Sequence, residues 1–156
     1  MFTFARYQKI DMQVDDFIIS DDPSKLQTDV IHQELRHSYW AKDIPAELVK
    51  RSIENSICFG VYLGEKQVGF ARVVSDQATF AYIADVFIRE EFQGRGLSKR
   101  LMEYIMNYPS LQGLRRWMLA TRDAHGLYAR YGFKPLTIPD RWMEKHVEEV
   151  YQTGKK

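Results

Sequence analysis

The chain has 156 residues, with 22 basic against 21 acidic side chains, 45% hydrophobic and 13% aromatic content. That length fits one domain able to bury a core without staples, and the composition excludes a disordered chain. A net charge of +1 gives no reason to expect nucleic acid or a membrane surface as partner, and one cysteine excludes a disulfide framework or a multi-cysteine metal site.

In chain order, residues 1–14 are ambiguous: "MFTFARY" has the pattern of a peripheral strand or arm. "DDFIIS" (Asp15–Ser20) reads as a first strand. A helix is expected from Asp22-Pro23, with Leu26, Val30, Ile31 and Leu35 as its apolar stripe. "SYWAKDIP" is a loop, and Pro45 opens a second helix to about Asn55. "ICFGVYLG" and "QVGFARVVS" form a hairpin around Gly64-Glu65-Lys66. "TFAYIADVFI" (Thr79–Ile88) is apolar on both faces except at Asp85, the pattern of a covered central strand. A helix from Gly96 buries Leu97, Leu101 and Ile105 and stops by Pro109. "RRWMLAT" is a strand, and "DAHGLYARYGF" a short helix closed by a left-handed Gly132. "FKPLTIP" and "RWMEKHV" are expected as final strands. No repeat, linker, leader-like segment or membrane-length apolar run interrupts the pattern, so one cytoplasmic α/β domain over 1–156 with a mostly antiparallel sheet is expected.

Gly94 and Gly96 lie where a strand turns into a helix. Glycine permits positive φ there and lets a ligand approach bare backbone. The first-turn N–H groups have no intrahelical partner, so they can face an oxyanion. A dinucleotide fingerprint is ruled out because Lys99 stands where its third glycine belongs, and no Walker loop occurs. Turn chemistry alone also accounts for two such glycines. Cys58, inside an apolar run, reads as a core residue rather than a nucleophile, and no histidine pair has metal-ligand spacing.

"VFIREEFQGRGLSKRLM" resembles the coenzyme-A-binding motif of the GNAT N-acetyltransferase superfamily, and "ATRDAHGLYARYGF" resembles its following strand–helix motif. Glu91, Gln93, Ser98 and Thr121 depart from the commonest residues of those motifs. The resemblance implies a GNAT fold, with a mixed, mostly antiparallel sheet whose two central strands splay into a V. It implies acetyl-CoA as cosubstrate, with its diphosphate on Gln93, Gly94, Arg95, Gly96, Leu97 and Ser98; no metal is expected, since the four histidines form no pair with ligand spacing. The pantetheine arm would run past Val86, Phe87 and Ile88, with Thr121 and Ala124 beside it. Tyr128 matches the motif tyrosine that serves as general acid toward the leaving sulfur. Asp85 is a candidate base, or else a structural carboxylate paired with an arginine such as Arg72. Tyr39 and Trp40 fall in the loop that walls the acceptor side. The implied reaction is direct acetyl transfer to a primary amine of a small molecule. Acetylation of a protein amine, or an acyl-CoA-binding module without turnover, are the alternatives; a homodimer is compatible with the superfamily.

Overall fold

The computed structural model describes residues 14–152, so the strand or arm expected within residues 1–14 falls, but for Val14, outside the described residues. The elements are β1 (Phe17–Ser20), α1 (Thr28–Arg36), α2 (Ala46–Glu54), β2 (Ile57–Leu63), β3 (Lys66–Ser75), β4 (Phe80–Ile88), α3 (Leu97–Met106), β5 (Arg116–Leu119) and α4 (His125–Ala129). One sheet has the order β1-β2-β3-β4-β5. The first three pairings are antiparallel and β4–β5 is parallel.

Alternation along the strands builds two apolar clusters. Phe59, Val61, Ala71, Val73, Ala81 and Ile83 pack with Leu101, Met102 and Ile105 of α3. Cys58 and Phe70 pack with Ile31 and Leu35 of α1 and Val49 of α2. Leu101, Met102 and Ile105 are fully buried, each contributing roughly 1.5–3 kcal/mol relative to exposure. Gln67 is a buried polar residue whose groups are all engaged: its side-chain oxygen accepts from Gln27 N at 2.7 Å, and its amide donates to Gly69 O at 3.0 Å. In return Gln67 N donates to Gln27 Oε1 at 3.1 Å, so the entry to α1 is bonded to the β2–β3 hairpin.

Two expectations are corrected here. The first helix begins at Thr28 rather than at Pro23. Pro23–Lys25 forms a 3-10 turn capped by Asp22, after which Leu26 and Gln27 are extended. Gln27 is held by Gln67 in that extended form, which breaks the run. The final strands "FKPLTIP" and "RWMEKHV" do not form: Pro139–Arg141 is a 3-10 turn and the flanking segments are irregular. Pro135 and Pro139 each remove a ladder donor. Leu136 and Ile138 keep their alternation but are 40% and 43% exposed, with no sheet face to cover them.

The feature that shapes the site is the divergence of β4 from β5. Their pairing runs from Phe80↔Arg116 to Ile83↔Leu119 and stops, while β4 continues to Ile88 beside β3. At the point of departure β4 bulges. Arg72 pairs with Ala84 and Phe70 with Phe87, so Asp85 and Val86 together face Ala71. Asp85 takes a φ of 56°, a left-handed conformation that is costly for a side chain bearing a Cβ.

Candidate active site

The opening between β4 and β5 is part of a cleft of about 1000 Å³. Val86 lines it from β4, Thr121 from the turn after β5, and Tyr128 from α4. The α1–α2 loop contributes Tyr39 and Trp40. Thus Asp85, Val86, Thr121, Tyr128, Tyr39 and Trp40, scattered through the sequence, converge on one cavity.

Asp85 lines the cleft as half of an ion pair. Its Oδ2 accepts from Arg72 Nε at 2.8 Å, and its Oδ1 from the Trp40 indole N–H at 3.0 Å. Arg72 also donates through Nη1 to Ser56 Oγ at 3.1 Å. The pairing with Arg72 is the structural arrangement weighed from sequence. Two of the carboxylate's roughly four lone-pair sites remain for a water or an amine.

Tyr39 and Trp40 meet edge to face with ring centroids 5.0 Å apart. The Arg122 guanidinium lies 4.0 Å from the Tyr39 ring centroid, and Arg122 N donates to Tyr39 Oη at 3.2 Å. Both aromatics are about half exposed, yet each is fixed by a named polar bond.

Tyr128 is buried and packs edge to face on Phe133. Its position follows from the helix end. Gly132 adopts the expected left-handed φ of 88°, Gly132 N bonds to Ala129 O, and Phe133 N bonds to Tyr128 O. That double closure locks the short helix. Burial, with smaller effects from Tyr39 and Asp123, pushes the Tyr128 phenol above its usual pKa, so it remains a hydrogen-bond donor through the neutral range. Thr121 is committed locally: its Oγ1 accepts from Ala124 N at 3.0 Å and starts the turn into α4.

The glycine loop adjoins the far end of β4. Gly94 has φ 77° and Gly96 φ 75°, both left-handed as expected. Among the described residues, a Cβ at either position would meet nothing within 4 Å. Gly96 caps α3 without any side-chain hydrogen bond, leaving first-turn N–H groups available. Gln93 is directed elsewhere, its Nε2 donating to Ile88 O at 2.8 Å and tying the loop to β4. Ile88 and Leu97 turn their side chains into the core, and Phe87 packs on Phe70, so these three offer only backbone to a ligand. Tyr131 Oη donates to Lys99 O at 3.0 Å, holding α4 against the first turn of α3.

Sequence reading missed part of the lining. Arg51 and Asn55 come from the end of α2, and Glu144 and His146 from the C-terminal segment. Nothing in their local spacing marks them, because only the chain path brings them to β4.

Cys58 is buried, and its thiol is pushed up to about 12, chiefly by burial. It does not line the cleft. Among the described residues no group of three or more His, Cys, Asp or Glu is placed to hold a metal, and no helix is long and apolar enough to cross a membrane.

The described sheet thus ends in a parallel pair that parts after Ile83↔Leu119, and a bare glycine turn precedes the helix that follows β4. The acetyltransferase (GNAT) family profile matches residues 21–133, and the chain belongs to that family. It is similar to a crystal structure from Xanthomonas campestris described as a candidate acetyltransferase of the GNAT family, with 54% identity and a TM-score of 0.85 over 86% of this chain and 96% of that one. A protein of Gibberella zeae, named as a candidate acetyltransferase, is 35% identical over 138 residues, 74% of this chain and 77% of that protein. A GNAT family acetyltransferase of Elizabethkingia anophelis, solved with acetyl-CoA bound, shares the fold at 16% identity and a TM-score of 0.60, over 86% of this chain and 90% of that one.

Proposed function

We propose that the protein moves an acetyl group from acetyl-CoA to a primary amine of a small molecule, by direct attack within a ternary complex. The observation that carries this reading is the cleft itself, opened where β4 leaves β5 and continued at the end of β4 by the open Gly94–Gly96 turn.

In this reading the N–H groups after Gly94 and Gly96 receive the diphosphate. The dipole of α3 contributes about 0.3–1 kcal/mol per charge, roughly 2 when partly buried. Val86 and its neighbours present backbone to the pantetheine arm on the side of β4 that β5 has left. A preorganised N–H there polarises the thioester carbonyl, an effect worth about 3–4 kcal/mol.

The acceptor amine must lose a proton, since an alkyl amine is only about one part in a thousand neutral at pH 7. Asp85 is the proposed acceptor of that proton, through water, with Arg72 and Trp40 fixing its orientation. Tyr128 donates to the sulfur as the C–S bond breaks. A raised phenol is a weaker acid than a thiol, so full transfer is uphill by about 1.4 kcal/mol per pKa unit. The ammonium proton released from the newly acylated nitrogen draws it forward. Cys58, buried and protonated, supports direct transfer over a covalent relay.

A thiol-release assay over a panel of amines, beside calorimetry with CoA and acetyl-CoA, tests the proposal. Binding with amine-dependent CoA release supports it. Binding without release on any amine indicates an acyl-CoA-binding module, and no binding of either form overturns the cradle.

A further inference from the structure

The lining of the cleft carries more guanidiniums than carboxylates: Arg51, Arg72 and Arg122 against Asp85 and Glu144. Asp85 and Arg72 satisfy each other at 2.8 Å. Arg51 and Arg122 also line the cleft, and neither forms an ion pair among the described residues. Arg122 is not a loose surface cation. Its guanidinium stacks on Tyr39 at 4.0 Å, while its peptide N–H bonds to that residue's hydroxyl at 3.2 Å. Tyr39 in turn packs on Trp40, which is bonded to Asp85. The cation is therefore coupled, contact by contact, to the proposed reacting centre.

Arg51 stands in the last turn of α2. The carbonyls there are partly occupied from within. Ser52 Oγ donates to Val49 O at 2.7 Å, and Asn55 Nδ2 donates to Arg51 O at 2.8 Å. The guanidinium is thus not required to cap the helix end. Glu144, from the C-terminal segment, is a carboxylate in the same lining with no ion partner among the described residues. Two guanidiniums and one carboxylate, none with an ion partner among the described residues, suit a molecule that carries both signs. Guanidinium is the side chain whose fork matches carboxylate and phosphate oxygens.

We propose that the acceptor is a small amine bearing an oxyanion, carboxylate or phosphate, which Arg51 and Arg122 hold while Glu144 attracts the ammonium end toward Asp85. This rests on the acetyl-transfer reading for its chemistry, but the charge preference can be read without turnover.

The test uses matched pairs: β-alanine against β-alaninamide for a carboxylate, and 2-aminoethyl phosphate against ethanolamine for a phosphate. At saturating acetyl-CoA, the oxyanion member of at least one pair is expected to have a kcat/KM about tenfold or more above its neutral twin. Arg51→Gln and Arg122→Gln should each erase most of that preference, chiefly through KM, and Arg122→Lys should restore part of it. The pair that shows the preference separates carboxylate from phosphate. Equal or better use of the neutral twins in both pairs overturns the proposal.

A second readout is the Trp40 indole N–H resonance, followed in the protein without acetyl-CoA. The oxyanion member should shift it in the wild type and not in Arg122→Gln. If no amine is acetylated but this selective shift is present, the oxyanion site stands and the transfer reading falls. If neither pair is used selectively and no selective shift is seen, the oxyanion site itself is rejected.

Discussion

Trp40 donates its indole N–H to Asp85 Oδ1 at 3.0 Å, joining positions 45 residues apart. The bond links the α1–α2 loop to the bulge of β4, so the side chain of the proposed base is held partly by a residue of that loop. Asp85 also holds Arg72, and its side chain is only 10% exposed.

Asp85→Asn is expected to destabilise the fold by roughly 1.5–3 kcal/mol, the range for a hydrogen bond to a charged group, because Arg72 loses its counter-ion. Denaturant unfolding measures this. If Asp85 takes the amine proton, kcat in the variant falls at least about tenfold. Turnover equal to wild type removes Asp85 as the base.

Tyr128→Phe is expected to lower kcat at least about tenfold, the low end for loss of a positioned acid, with KM for acetyl-CoA little changed. Burial raises the phenol above its usual 10.0, so Tyr128 imposes no alkaline fall in kcat below that pH. Turnover by the phenylalanine variant equal to wild type rejects the role.

Gly94→Val forces a β-branched residue to φ 77°, at a conformational cost of roughly 1–2 kcal/mol, and puts carbon where no other described residue comes within 4 Å of a Cβ. The expected result is a modest drop in melting temperature and a rise of at least about tenfold in the acetyl-CoA dissociation constant by calorimetry. Unchanged affinity would remove the diphosphate from this turn.

The Gly94–Gly96 turn was readable from the sequence because its signal is local: a strand, two glycines one residue apart, then a helical stripe. Gly132 was readable for the same reason. The bulge at Asp85 was not, since it exists only in the register between β3 and β4, and no property of "YIADVFI" fixes that register. Arg51, Glu144 and His146 reach the cleft through the path of the chain, which periodicity does not encode. The expected last strands failed in an instructive way. Leu136 and Ile138 do alternate, but alternation reports a face and not a partner, and Pro135 and Pro139 withhold donors that a ladder needs.

Alkaline stability gives a separate check on the core. Burial raises both the Cys58 thiol, from 9.0, and the Tyr62 phenol, from 10.0, to about 12. A raised folded pKa means the folded state keeps its proton longer, so the unfolded state binds fewer protons in that window and stability falls as pH rises. The loss should begin near pH 9 and continue to about 12. Cys58→Ala should flatten its first part, as seen by unfolding at a series of pH values. At pH 8 the thiol should resist a disulfide reagent until the protein unfolds.

The divergence of β4 from β5 leaves a gap in the sheet that no described strand closes. If acetyl-CoA binds as proposed, its arm lying along β4 would act as a removable sixth strand, tying resistance to unfolding to ligand concentration. At a concentration one hundred times the dissociation constant, such a guest adds about 2.7 kcal/mol to the unfolding free energy. The melting temperature would then rise with ligand concentration, and a protease would cut the empty form sooner than the loaded one.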